Sequence, residues 1–242
     1  MIKEGGETNL NGVRFGNIHT YDEWKLILTS ADISFPDIKT EKINIPGTDG
    51  ELDFTESLTN DVKYKNRKIT FNFVMVQERS LWTSLMSTIA NYLHGKDFKI
   101  ILDNDLNFFY KGRAKVNEFK SDKSIGRIVI EADVDPYKYD LISSEEDWLW
   151  DPFNFESGII NETKELNVEG ELTVNIYGRR KLVSPKFIIN CKNDIQCVFE
   201  GQTYNFISGV NYAPNIQIKE GKNTFKFIGI GTVTIEYRGG SL

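Results

Sequence analysis

Period-two alternation of apolar and polar residues runs through most of this chain, and it constrains the fold more than any other feature. In Lys68-Ile-Thr-Phe-Asn-Phe-Val-Met-Val76, Ile69, Phe71, Phe73 and Met75 fall on one side. That is the pattern of a strand with one face in a core and the other in water. Residues 99–102 and 108–110 flank Asp103-Asn-Asp-Leu-Asn107, whose composition is that of a hairpin turn. Residues 126–132 read as another strand. Asp135-Pro136 closes it, because proline restricts the residue before it and cannot continue a central ladder.

One segment has a different period. Leu81, Trp82, Leu85, Met86, Ile89, Ala90 and Leu93 follow the i, i+4, i+8 rhythm of an amphipathic helix, expected over about 80–94. Ser80 is the expected N-cap and Gly95 the expected C′ residue. Trp82 and Met86 read as core residues that pack this helix on a sheet.

Beyond Asp140 the character changes. Residues 143–155 are acidic and aromatic, as expected of a connection between domains. From about Leu166 seven short strands follow one another: 172–177, 186–189, 196–199, 203–207, 215–218, 224–228 and 231–237. Glycines 178, 201, 209, 221, 229 and 231 punctuate them. That spacing is the signature of a β-sandwich. The expected fold class is therefore mainly β. An α+β N-terminal domain (1–139) has one helix packed on antiparallel sheets, and a β-sandwich domain with its linker spans 140–242.

Composition excludes several classes of function. The chain has 242 residues, with 29 basic against 35 acidic and a net charge of −6, which argues against wrapping nucleic acid. It does not exclude lining a channel past which nucleic acid slides. No apolar run approaches the roughly 20 residues that span a bilayer, and MIKEGGETNL lacks the apolar core of a signal peptide. Synthesis in a reducing cytoplasm is expected, with Cys191 and Cys197 as free thiols on either side of a hairpin turn.

Chemistry-bearing motifs are scarce. The only histidines are His19 and His94, and neither has a second His or Cys at metal-ligand spacing. No G-x-S-x-G elbow or G-x-x-x-x-G-K-[ST] loop occurs. Gly229-Ile-Gly231 lacks the rest of a dinucleotide fingerprint and is expected to join two strands. Paired carboxylates for glycoside hydrolysis would come from Glu145-Glu146-Asp147 or from Glu51 and Asp53, which read better as solvated faces. Asn161-Glu-Thr163 matches a glycosylation sequon that is idle without secretion. The expectation is no catalytic residue, no metal and no cofactor.

The distinctive segment is Ile45-Pro-Gly-Thr-Asp-Gly-Glu-Leu-Asp-Phe-Thr-Glu-Ser-Leu58. Turn formers at Pro46-Gly47 and Asp49-Gly50 are followed by Leu52, Phe54 and Leu58 among acidic residues. Two readings are open: an ordinary hairpin within the domain, or an arm over about 40–62 that adds to a neighbouring subunit. In the second, Ile45, Leu52, Phe54 and Leu58 are intersubunit contacts, and Tyr64 and Arg67 support the arm.

Ile-Pro-Gly-Thr-Asp-Gly-Glu-Leu-Asp-Phe at 45–54, then Tyr64-x-x-Arg67 and Ile69-Thr-Phe-Asn-Phe73, resembles the distal tail (Dit) proteins of long-tailed siphophages. The helix, Gly112-Arg113, Ala132-Asp-Val-Asp-Pro-Tyr-Lys-Tyr139 and the closing Gly231-Thr-Val-Thr-Ile-Glu-Tyr-Arg-Gly-Gly240 are similar in order. The resemblance implies a structural virion protein at the tail tip, made in the host cytoplasm. It implies a homo-hexameric ring whose N-terminal domains surround a channel for DNA passage. Implied partners are the tail tube protein, the tail-associated hub protein, the tape measure protein and receptor-binding proteins. It also implies a galectin-like C-terminal sandwich facing outward, where peripheral baseplate proteins attach. The competing reading is a carbohydrate-binding module with an aromatic platform drawn from Tyr177, Tyr204, Tyr212 and Tyr237.

Overall fold

The computed structural model describes residues 12–121, 125–141 and 163–242. The acidic connection at 143–155, the Glu145-Glu146-Asp147 cluster and the sequon at Asn161 lie outside the described residues. The chain divides into two units, 1–105 with 109–136 and 242, and 106–108 with 137–241.

In the first unit, β1 (Val13–Phe15), β2 (Ile18–His19) and helix α1 (Thr20–Trp24) precede β3 (Leu26–Ile33). Helix α1 was not expected. It is too short for a periodic signal, and its N-cap is His19, whose ring nitrogen accepts from Asp22 N. The chain continues through β4 (Lys42–Asn44), β5 (Glu51–Asp53) and β6 (Arg67–Met75). Helix α2 (Trp82–Leu93) leads to β7 (Lys96–Leu102), β8 (Phe108–Ser121) and β9 (Gly126–Val134). The main sheet has the order β2-β1-β7-β8-β9-β6-β3 with antiparallel neighbours.

Alternation places Ile69, Phe71, Phe73 and Met75 of β6 in the core, together with Ile128, Ile130 and Ala132 of β9. Helix α2 adds Trp82, Ile89 and Leu93 to that core, while Met86 is only half-buried. Ser80 is not the N-cap. It lies in a 3-10 turn (Arg79–Leu81), and Leu81 takes the cap position with no side-chain hydrogen bond. The turn leaves Leu81 outside the helix and 47% exposed. Gly95 follows the C-cap with φ +79°, as expected of C′.

The second unit contains β10 (Lys138–Asp140), β11 (Leu166–Gly178), β12 (Lys186–Cys191), β13 (Ile195–Phe199), β14 (Gln202–Phe206), β15 (Gly209–Tyr212), β16 (Gly221–Glu236) and β17 (Gly240–Ser241). Three expectations are corrected here. The strands expected at 224–228 and 231–237 are one, β16, which pairs with β11 over its whole length. Gly229 and Gly231 therefore lie inside a strand; their φ values of +147° and +156° let it turn a corner where a side chain would not fit. A Cβ on Gly231 would sit 2.4 Å from the carbonyl oxygen of Asn190.

Nor do Cys191 and Cys197 flank a hairpin. β12 pairs with 231–236 of β16 and β13 with 225–228, in the same direction along one edge. The two are consecutive pieces of one line, and their break faces the glycine corner. The true hairpin is β13–β14, whose turn residues Glu200 and Gly201 both have positive φ, as a type I′ turn requires. Both cysteines are free, and burial pushes the Cys197 thiol up to about 12. Residues 215–218 form no strand either. A turn bonds Ile216 N to Ala213 O, and only Ile218 bridges, to Val183, while both isoleucines are buried. Alternation there reflects burial without pairing. The halves of the bent sheet close over one core, with Phe187 4.6 Å from Phe206 and Phe199 4.6 Å from Phe225 between ring centroids.

Candidate assembly interface

Between β3 and β6 the chain leaves the main sheet as a long stem. Ser34 N donates to Lys68 O (3.1 Å), Lys65 N to Asp37 O (2.8 Å) and Lys39 N to Lys63 O (2.8 Å), with an isolated bridge between Ile38 and Tyr64. The stem ends in the β4–β5 hairpin, where Lys42 faces Asp53, Ile43 faces Leu52 and Asn44 faces Glu51. Its tip follows from sequence. Pro46 presets φ for the second turn position, and Gly47 supplies φ +86° at the third. Thr48 closes the turn by donating its N–H (3.3 Å) and its hydroxyl (3.0 Å) to Ile45 O.

Register sorts the hairpin into two faces. Ile43 and Leu52 are directly opposed, and Ile45 and Phe54 lie two residues beyond them on the same side. They are 49, 50, 38 and 41% exposed respectively, so an apolar face stands open. Lys42, Asn44, Glu51 and Asp53 occupy the reverse face. Of the expected contacts, Ile45, Leu52 and Phe54 are thus brought together. Leu58 is not. It sits in the following turn, where Asn60 N donates to Glu56 O (2.8 Å), and it is 97% exposed. Tyr64 lies in the stem. Arg67 belongs to the main sheet, buried to 4% exposure, with its guanidinium 4.9 Å from the centre of the Tyr110 ring. Sequence reasoning missed Ile43, although Lys42-Ile-Asn-Ile45 repeats the alternation that marked every other strand. It also missed Phe35 (84% exposed) and Ile38 (49%) in the stem.

The hairpin is pinned at Asp53. Its carboxylate accepts the Thr55 N–H (2.8 Å), and the Thr55 hydroxyl accepts Glu41 N–H (3.2 Å). Hydrogen bonds from Thr55 hold the Asp53 carboxyl below its usual 3.8. A glycosidase acid needs its proton held more tightly, not less. Asp53 therefore does not suit that acid, and Glu51 beside it is an exposed residue of the same face.

Elsewhere the polar groups have structural roles. His19 Nε2 lies 3.0 Å from Asp103 Oδ2, which also accepts the Gly12 N–H (2.8 Å), and His19 Nδ1 lies 2.9 Å from Asp22 Oδ2. The cluster ties the start of β1 to the β7–β8 turn. On the sheet face away from the core, β-pairing aligns Lys68, Asp133, Arg113 and Asp97 in a row of alternating charge beside a hollow of about 610 Å³. Among the described residues no group of three His, Cys, Asp or Glu side chains is arranged to hold a metal. The four tyrosines of the aromatic-platform reading do not share a face: Tyr204 and Tyr237 pack against the second core, whereas Tyr177 and Tyr212 are 51 and 74% exposed.

No family model matches the chain, and no curated protein matches it in sequence. Among solved structures it is similar to the crystal structure of SPP1 Dit, described as a paradigm of the hub adsorption apparatus in phages that infect Gram-positive bacteria. The TM-score is 0.59, over 94% of this chain and 98% of that chain. This chain has the fold of SPP1 Dit. Identity is 12%, so the likeness to SPP1 Dit is one of architecture. The Dit resemblance read from 45–54 and 64–73 has a three-dimensional counterpart over both units.

Proposed function

We propose that this chain is a non-enzymatic structural component of a phage tail tip. In this reading six copies close into a ring around a channel through which DNA passes. The ring joins the tail tube to the hub and to baseplate or receptor-binding proteins. The observation that carries the reading is the β4–β5 hairpin, which presents four apolar side chains that are each 38 to 50% exposed. An isolated two-stranded hairpin is marginal in water, and an open apolar face of this kind marks a contact with another macromolecule. A ring needs two different surfaces on each copy, one to give and one to receive, and a projecting arm supplies the first. The SPP1 Dit fold supports the same reading, and an acidic chain suits a conduit that must not retain DNA.

Light scattering and negative-stain images of the purified protein test it. The expected result is a cyclic hexamer for the native chain and a folded monomer for Leu52→Asp with Phe54→Asp. Rings of another symmetry, or a monomer both alone and mixed with the tube and hub proteins of the same tail, would overturn it.

A further inference from the structure

The ring reading leaves open where the arm docks, and a second patch on the first unit answers that. Leu26, Met75 and Gly126 are partners across β3, β6 and β9, with their side facing the core. One position further out, past the strand ends, come Lys25 in the left-handed cap of α1, and Val76 and Ile125, exposed on the side away from the core; Val76 N donates to Lys25 O (3.1 Å). One row inward on that side come Ile27, Val74, Arg127 and Lys120. Val76 and Ile125 are 57 and 38% exposed, Ile27 and Val74 are half-buried, and Lys25, Arg127 and Lys120 are exposed. On this border Glu118 is ion-paired to Lys120 at 2.8 Å. The patch is apolar with a cationic rim.

The arm has the complementary character. Next to its apolar face, the tip and the following turn carry the exposed Asp49 and Glu56, while Glu51 and Asp53 lie on the reverse face with Lys42. Placement matters as well. The arm departs at Ile33 and Arg67, whereas the patch lies at Lys25 and Val76, the opposite ends of β3 and β6. Nine residues of β6 separate them by about 30 Å. A donor and an acceptor at opposite ends of one unit make a head-to-tail contact, the kind that propagates around a ring.

We infer that the patch of Ile27, Val74, Val76 and Ile125, rimmed by Lys25 and Arg127, receives the β4–β5 hairpin of a second copy of this chain. This rests on the ring reading, and cross-linking separates the two. Leu52→Cys and Val76→Cys are made separately in a Cys191→Ser background, and each is treated with a short bismaleimide under conditions that give rings. The mixture should yield covalent dimers, and each variant alone should not. Arg127→Glu should weaken assembly at least tenfold at low salt, and this loss should shrink when Asp49→Lys and Glu56→Lys are added. Rings that form without cross-linking, or that ignore Arg127→Glu, overturn the acceptor assignment and leave the ring reading standing. Failure to form rings at all overturns the ring reading itself.

Discussion

At the scale of single residues, Arg67 is the most unusual side chain in the first unit. Its Nε and Nη2 are buried without an acceptor, it is stacked on Tyr110, and burial pulls its pKa down. A buried charge without a counter-charge is costly, and the cation–π contact recovers only part of that cost. Arg67→Met keeps the volume and removes the charge, so it should raise stability by about 1 kcal/mol. Urea unfolding followed by tryptophan fluorescence would show a higher midpoint; a loss of similar size would mean that an acceptor reaches the guanidinium. Sequence gave no hint of this. A residue read as an arm support carries the same letter whether its neighbour is water or Tyr110; in the structure Arg67 begins β6 on its core-facing side. His19 is a parallel case. Its partner Asp103 lies 84 residues away, beyond any spacing rule.

Among the elements, the arm was legible and its precise face was not. Turn chemistry at Pro46-Gly47 marked the hairpin tip, but the pairing of Ile43 with Leu52 fixes the face, and pairing is invisible in one strand read alone. Leu58 was grouped with Leu52 and Phe54 by loose spacing. The extra residues of the Glu56–Asn60 turn break that period. The pH response of the hairpin follows from Asp53. Its folded value is depressed, so the Thr55 cap is fully present above 3.8 and is lost as pH falls through the lower folded value. The Thr55 amide resonance should therefore titrate with a midpoint below 3.8, and Asp53→Asn should abolish that titration. A midpoint at or above 3.8 would show that the cap does not order the hairpin. The corner of β16 was misread for the opposite reason. Gly229 and Gly231 are ordinary strand terminators in sequence, and only pairing with β11 across the whole length reveals that the chain bends without stopping.

For the whole molecule, two separate hydrophobic cores predict two cooperative transitions. Gly231→Ala tests this from one side. Its new Cβ meets the Asn190 carbonyl and Cys191, so the second unit should lose roughly 3 kcal/mol through overpacking and strain. Calorimetry should show one transition move down while the other stays in place; a common shift of both would mean that the units unfold as one. Fold class was readable because alternation, one amphipathic stretch and closely spaced glycines act locally. The placement of complementary surfaces was not, because the arm and its proposed acceptor face meet only between copies.

The open hairpin also bears on how the protein must be handled. Until Ile43, Ile45, Leu52 and Phe54 are covered, each molecule in solution carries a sticky ribbon whose two strands, among the described residues, pair only with each other. The usable concentration of the free subunit is then set by how quickly legitimate contacts outcompete stray ones. Supply matched to demand, more than fold stability, would govern how much intact material a cell or a test tube can hold.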